Sequence, residues 1–301
     1  VFIITIILIF TFLLISNSQT NLNSYVPLLA VYLFAFMRIL PSFNKIIMEF
    51  QSYISHKLFV NKVSAQFDIP KNFKQTTKTI NFEKEIEFKN VSYKFDESSL
   101  YVLRELNLKI KKNSKIGIIG KSGSGKTTFL NLLMGFLKPS EGEIVVDGTN
   151  SSDAFDSWRK KIAFVSQTIY LLDDTITKNI CFEEDESKIN FDLLKESLFK
   201  SGLKSFVDKL PKGLNTRIGE RGSKISGGEI LRISLARALY SNKQLYILDE
   251  FTSALDNETE QEILENLKKI TKTIIIVSHK KSTLENCDKV YEIKETGLKE
   301  I

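Results

Sequence analysis

A glycine-rich octapeptide at residues 120–127 has the composition and spacing of a phosphate-binding loop. It reads GKSGSGKT, fits the pattern GxxxxGK[ST], and lies between an apolar run and a segment with helical periodicity. Its glycines let backbone N–H groups approach phosphate oxygens, Lys126 supplies a cation, and the Thr127 hydroxyl can ligate Mg²⁺. The octapeptide therefore predicts a nucleoside triphosphate site. The predicted contacts are Gly120, Lys121, Ser122, Gly123, Ser124, Gly125, Lys126, Thr127 and Thr128.

Two adjacent carboxylates, Asp249 and Glu250, follow the apolar run LYIL at residues 245–248. The carboxyl end of a buried strand is where α/β sheets place their ligand-binding groups. Asp249 is predicted to hold Mg²⁺, directly or through water. Glu250 is predicted to orient and polarise the attacking water. A strand followed by Asp-Glu is a weak signal alone, but downstream of a phosphate-binding loop it predicts hydrolysis of ATP.

The elements that must position these residues indicate an α/β fold. Apolar runs at 116–120, 161–167, 245–250 and 273–279 are nearly continuous in hydrophobicity, which is typical of parallel strands covered on both faces. Helical patterns separate these runs. We therefore expect an α/β domain over residues 85–301, preceded by a polar linker at 67–84.

Residues 1–66 have a different composition. The chain of 301 residues carries 42 Lys+Arg and 36 Asp+Glu, yet no charged residue precedes Arg38. Apolar runs at 1–15 and 25–40 predict two transmembrane helices, the second continuing toward residue 65 as a cytoplasmic extension. Because the first run is shorter than the roughly 20 residues of a full span, we expect a piece of a larger membrane domain. The alternative is a hydrophobic hairpin buried in a soluble core.

The distribution of charge bears on topology and partners. The loop between the two apolar runs has no Lys or Arg, whereas Lys45, Lys57 and Lys62 follow the second run, so the positive-inside rule places the α/β domain in the cytoplasm. Despite a net charge of +6, basic and acidic residues are interleaved, which argues against a nucleic-acid partner. Arg38, inside the second run, either faces a wet cavity or extends to the lipid headgroups.

The segment ISGGE at residues 225–229 resembles the LSGGQ signature of the ABC-transporter ATPases. As bare sequence, Ser226-x-x-Glu229 is also a helix capping box, and both interpretations can hold. In that family the signature of one chain closes over the phosphate-binding loop of another. The resemblance implies a homodimer in which one protomer contacts its partner's ATP through Ser226, Gly227, Gly228, Glu229 and Asp256. Glutamate at position 229 departs from the family's glutamine and adds negative charge.

The resemblance covers residues 85–301 and implies roles for further side chains. Gln167 stands at the position of the Q-loop glutamine, which ligates Mg²⁺ and takes part in catalysis together with Glu250. His279 stands where the family has a switch histidine that touches the γ-phosphate. Phe95 replaces the usual tyrosine that stacks on adenine, and Tyr93 is the less favoured candidate. The implied fold is an α/β P-loop ATPase domain of the ABC type preceded by two α-helical transmembrane segments.

Membrane helices directly ahead of an ATPase domain resemble ABC exporters and flippases rather than importers. The segment RILPS at residues 38–42 resembles bacterial flippases that supply lipid-linked oligosaccharide for protein N-glycosylation. The resemblance implies an ATP- and Mg²⁺-dependent translocase of the bacterial inner membrane, with membrane lipid and a lipid-linked oligosaccharide as partners. The alternatives are an exporter of another cargo, such as lipid A, a peptide or a drug, and a soluble ATPase without transport.

Overall fold

A computed structural model of the chain shows two compact units, Val1–Phe73 and Lys74–Ile301. The structure describes residues 9, 12, 13, 16, 26–67, 78–95, 100–183, 185–294 and 297–301. The apolar run at 1–15, predicted as a transmembrane helix, lies almost entirely outside these residues. The two units are therefore described one at a time.

One long helix, α1 (Val26–Phe67), makes up most of the described part of the first unit. It continues across Pro41, although proline lacks the N–H that an interior helical position donates. Its segment Ala30–Ser64 contains a stretch of 18 residues with a mean hydropathy of 1.3 and is long and apolar enough to cross a membrane. The second apolar run and the residues predicted to extend it lie on this one continuous helix, and the cytoplasmic position of the extension stays a prediction. The number of spans stays a prediction.

The second unit combines an antiparallel and a mainly parallel sheet with packed helices. Its strands are β1 (Glu85–Tyr93), β2 (Leu103–Lys111), β3 (Lys115–Ile119), β4 (Glu141–Val146), β5 (Thr149–Asn150), β6 (Ile162–Val165), β7 (Leu245–Asp249), β8 (Thr273–Val277), β9 (Lys289–Lys294) and β10 (Gly297–Glu300). Its helices are α2 (Lys126–Leu133), α3 (Phe155–Arg159), α4 (Ile176–Cys181), α5 (Phe191–Lys200), α6 (Lys204–Asp208), α7 (Gly227–Tyr240), α8 (Asn257–Lys268) and α9 (Lys281–Leu284).

The larger sheet has the strand order β10-β9-β3-β8-β7-β6, and all its pairings except that of β10 with β9 are parallel. Its central strands are rich in Ile and Val and are buried along their length, as in the TIIIV of β8. This confirms the four predicted parallel strands. The smaller sheet, with the order β2-β1-β4-β5, is antiparallel and was absent from the sequence-based expectation.

The register of the parallel strands decides where the functional loops lie. Val277 at the end of β8 pairs with Ile118 on one side and with Asp249 on the other, and Leu248 pairs with Val165. β3, β8, β7 and β6 therefore end at the same edge of the sheet. The loops that follow these strands carry the predicted phosphate-binding, acidic, histidine and glutamine residues, so the topology brings them together.

The packed domain begins ahead of residue 85, so the predicted linker 67–84 is too long. Phe82 is fully buried, and its ring meets Trp158 edge-on with 5.9 Å between the centroids. The Asp147 carboxylate accepts hydrogen bonds from the backbone N–H groups of residues 83–85. A few apolar residues among polar ones form no periodic pattern, and only the tertiary contacts show that this segment belongs to the core.

We predict that Phe82→Ala lowers the free energy of unfolding by about 3–5 kcal/mol, because it leaves a cavity beside Trp158. Trp158 is the chain's single tryptophan and is fully buried, so its fluorescence reports the unfolding of this domain in denaturant. Phe199→Ala, at a site that is 59% exposed, is the matched control and should change stability by no more than about 0.5 kcal/mol. Equal effects of the two substitutions would place residue 82 outside the core.

Candidate nucleotide-binding site

The loop between β3 and α2 has a backbone conformation that requires glycine at several of its positions. Gly123 and Gly125 have φ values of 80° and 97°, in the left-handed region that favours glycine. A Cβ on Gly120 would lie 2.5 Å from Ser124 Oγ, and one on Gly125 would lie 3.0 Å from Leu103 Cδ2. Because Gly125 caps α2 without a side chain, the first N–H groups of the helix can bind an anion.

Two side chains of this loop have polar groups that a phosphate would satisfy. The Lys126 ammonium donates hydrogen bonds to the carbonyl oxygens of Gly120 and Lys121, at 2.8 and 3.0 Å. Its partial burial lowers the pKa of Lys126, against the opposing effect of the carboxylates of Glu250 and Asp249. Ser124 Oγ is buried and has no hydrogen-bond partner within the described residues. A phosphate oxygen would accept from both groups, so the loop fits its predicted ligand.

Glu250 is held between two side chains from neighbouring strand ends. Gln167 Nε2 donates to Glu250 Oε2 at 2.7 Å, and His279 Nε2 lies 2.7 Å from Glu250 Oε1. The structure thus brings together the three residues predicted to be catalytic. Glu250 has a φ of 49°, a left-handed conformation that costs a non-glycine residue about 1–2 kcal/mol. Its backbone N–H donates to the carbonyl oxygen of Val277 at 2.9 Å.

Asp249, at the end of β7, is the acidic residue suited to a cation. Burial raises the pKa of Asp249, the neighbouring Glu250 raises it further, and Lys126 and His279 oppose the shift. A divalent cation would favour the ionised form of this carboxylate and offset the cost of its burial. Thr127, exposed at the start of α2, and the side-chain amide oxygen of Gln167 are the other predicted magnesium ligands. Oxygen donors of this kind suit Mg²⁺.

The signature segment forms a capping box at the start of α7. Ser226 Oγ accepts from the Glu229 N–H at 3.3 Å, and Glu229 Oε2 accepts from the Ser226 N–H at 2.7 Å. The prediction of a helix capping box at Ser226 and Glu229 is confirmed. A Cβ on Gly228 would lie 3.1 Å from the carbonyl oxygen of Ala254, so a glycine lets α7 begin against the segment that precedes Asp256. The Glu229 carboxylate already accepts a hydrogen bond in this cap, so a ribose hydroxyl would have to bind the same carboxylate.

The remaining predicted contacts differ in accessibility. Phe95 is 50% exposed, whereas Tyr93 is 9% exposed and packs edge-on against Phe95 with 5.2 Å between the centroids. Only Phe95 offers an open ring for a base. Asp256 caps α8 by accepting from the N–H and Oγ1 of Thr259, both at 2.9 Å, and these hydrogen bonds lower the pKa of Asp256. Thr128 is 8% exposed and is therefore much less accessible than Thr127.

One part of the site was not predicted from the sequence. Val102 and Leu103, at the start of β2, border Gly125, where an added Cβ would lie within 3.3 Å of both side chains. Their strand belongs to the antiparallel sheet, which the apolar runs did not reveal. The alternation of buried and exposed positions along β2 was the available signal.

A phosphate-binding loop after one parallel strand, with an acidic pair after another at the same sheet edge, defines a P-loop ATPase. Residues 103–253, about half of the chain, match the family described as "ABC transporter". The chain belongs to the ABC transporter family, and its second unit is the ATPase domain.

Similar proteins are exporters and flippases. The chain is 33% identical over 301 aligned positions to an ATP-dependent lipid A-core flippase of Haemophilus influenzae, covering 98% of this chain and 50% of that protein. It is 37% identical over 219 positions to the leukotoxin translocation ATP-binding protein LktB of Mannheimia glucosida, covering 72% of this chain and 31% of that one. The solved structure of a bacterial Atm1-family ABC exporter with ATP bound matches 77% of this chain and 40% of that chain, with a TM-score of 0.68 and 31% identity. The chain thus spans half or less of the length of these proteins.

We predict that Glu250→Gln retains ATP binding while ATP turnover falls at least ~100-fold. The amide keeps the shape of the carboxylate but cannot accept a proton from water, and losing acid–base assistance has this scale. The measurement is phosphate release at saturating ATP, with nucleotide binding measured in parallel. Glu258→Gln, an exposed substitution in the first turn of α8, is the control and should hydrolyse ATP at the wild-type rate. Near-normal turnover of Glu250→Gln would contradict the assigned role.

Proposed function

We propose that this protein hydrolyses ATP to export a lipid cargo across the bacterial inner membrane. The observation that carries the proposal is the Glu250 carboxylate, fixed between Gln167 and His279 at the sheet edge that also bears the phosphate-binding loop. The apolar helix Ala30–Ser64 on the same chain supports a membrane location. The ATPase domain would lie in the cytoplasm, since the basic residues of the N-terminal part follow its apolar runs.

The residues of the site have separate roles in ATP binding and hydrolysis. The backbone N–H groups at the start of α2 and the Lys126 ammonium bind the phosphates, and the ring of Phe95 stacks on the base. Thr127, Gln167 and Asp249 would hold a magnesium ion, which would neutralise phosphate charge. Glu250 orients the attacking water and accepts its proton, while His279 and Gln167 keep the carboxylate in place. Because three strand ends fix these groups, the geometry exists before ATP arrives.

Each ATP site is proposed to need a second copy of the chain. The capping box satisfies the N–H groups of Ser226 and Glu229. The N–H groups of Gly227 and Gly228 are not part of it and lie at a helix start that attracts anions. Asp256 lies at the start of α8, beside the Ala254 that Gly228 approaches. A partner's phosphates, approaching this surface, would meet the positive end of α7.

Mixing two inactive variants tests the shared site. We expect Lys126→Ala and Ser226→Arg protomers to hydrolyse little ATP as separate homodimers, because each composite site has one lesion. In a mixed dimer one site carries both lesions and the other carries neither, so ATPase activity should recover toward half of the wild-type rate if the sites act independently. Wild type mixed with Ser226→Arg provides the reference for protomer exchange. Hydrolysis by a demonstrated monomer would refute the shared site.

The identity of the cargo rests on two observations. The relative aligned over 98% of this chain, including its membrane helix, is named as a lipid A-core flippase, which favours lipid A-core. The RILPS segment with Arg38 favours a lipid-linked oligosaccharide, because a guanidinium can bind two oxygens of a pyrophosphate at once. A protein toxin, the cargo that the name of LktB suggests, is less favoured, since that match covers 72% of this chain.

Reconstitution in vesicles separates these cargoes. We expect one of the two lipids to be flipped with ATP and to stimulate hydrolysis, while Glu250→Gln vesicles flip neither. If the cargo is the lipid-linked oligosaccharide, Arg38→Ala should reduce flipping and Arg38→Lys should restore it in part, whereas Lys45→Ala, also on α1, should not change it. Equal rates for the Arg38 variants would mean that Arg38 only reaches the headgroups. Transport of a peptide alone would exclude a lipid cargo.

A further inference from the structure

Glu260, in the first turn of α8, is a buried carboxylate with no role in the site described above. It is only 5% exposed, whereas ionised carboxylates are rarely buried unless they are paired. Lys280 Nζ donates to Glu260 Oε2 at 3.1 Å, and Thr283 Oγ1 donates to Glu260 Oε1 at 2.6 Å. Burial alone would raise the pKa of Glu260, but hydrogen bonds from Thr283, Lys280 and Thr252 together lower it. The carboxylate is therefore ionised and held on both oxygens.

The partners of Glu260 come from the two chain segments that carry the catalytic pair. Lys280 directly follows His279, and Thr283, fully buried, lies one turn further in α9. Thr252 follows Glu250 by two positions, and its Oγ1 lies 3.4 Å from that of Thr283. One carboxylate thus ties the segment after β7 and the segment after β8 to the same helix.

The contact that these segments must preserve is short. His279 Nε2 lies 2.7 Å from Glu250 Oε1, yet the His279 side chain is 47% exposed, so little packing fixes its ring. Glu250 has the strained φ of 49° described above, which surrounding contacts must maintain. The N–H of Lys280 donates to Ser278 Oγ at 3.0 Å, which orders the backbone around His279. The hydrogen bond from Lys280 Nζ to Glu260 then connects this backbone segment to α8.

We propose that Glu260 is a positioning residue for ATP hydrolysis, which holds His279 against Glu250 by anchoring Lys280, Thr283 and Thr252. The inference rests on the ATPase activity of the domain and not on the cargo. It assigns Glu260 no contact with ATP. Loss of the anchor should therefore lower kcat and leave the KM for ATP unchanged, because the phosphate-binding loop and Phe95 are untouched.

Glu260→Gln and Thr283→Val test the proposal, with Glu262→Gln as the matched control on an exposed position of the same helix. We expect kcat to fall about tenfold in both test variants, less than the roughly 100-fold that a misplacement of 1 Å can cost. KM should stay within twofold of wild type, and Glu262→Gln should match wild type in both constants. The fluorescence of Trp158 verifies that each variant is folded. A raised KM with unchanged kcat, or wild-type kcat in both folded test variants, would overturn the proposal.

A double-variant cycle separates positioning from a general structural effect. If Glu260 acts through His279, adding Glu260→Gln to His279→Ala should cause no further loss of the single-turnover rate. A further tenfold loss would show that Glu260 acts by another route. Ring signals in NMR give a readout without hydrolysis, because the chain has two histidines, His56 and His279. Glu260→Gln should shift the His279 signal and leave that of His56 unchanged, and an unmoved His279 signal would overturn the proposal.

Discussion

The site depends on the placement of one carboxylate, that of Glu250, between the amide of Gln167 and the imidazole of His279. Each of these three residues follows a different strand, and the contacts of 2.7 Å on both carboxylate oxygens require those strands to end in register. Parallel pairing of β6, β7 and β8 provides that register. A slip of one residue in any pairing would turn every side chain of that strand to the opposite face and separate the three groups.

Around this carboxylate the site has buried polar groups that lack full compensation, and a bound nucleotide with its cation would supply the missing partners. Ser124 Oγ is buried without a partner among the described residues, and burial shifts the pKa of Asp249 upward and that of Lys126 downward. Glu250 adds a strained backbone. Such costs persist where the surrounding structure is stable enough to impose them, and here the buried cores on both faces of the parallel sheet do so.

Features encoded within a few neighbouring residues were predictable from the sequence. The phosphate-binding loop, the buried parallel strands and the capping box of Ser226 and Glu229 all follow from local spacing, and the structure has each of them. Features that depend on distant contacts were missed. Phe82 packs in the core against Trp158, which is distant in sequence, and the partners of Glu260 likewise come from distant segments, among them Thr283 of α9. The antiparallel sheet was missed because the prediction followed continuous apolar runs, whereas β2 alternates between buried apolar and exposed polar residues.

The central claim is that the loops at this sheet edge bind one ATP, which the signature of a second protomer completes. A cryo-EM structure of the membrane-embedded Glu250→Gln protein with Mg²⁺ and ATP tests it most directly. The account predicts that the phosphates lie on the backbone of residues 120–127 and that Ser226 of the other protomer lies against the γ-phosphate. Nucleotide bound away from this loop, or a fully occupied site in a protomer without a partner, would contradict the account.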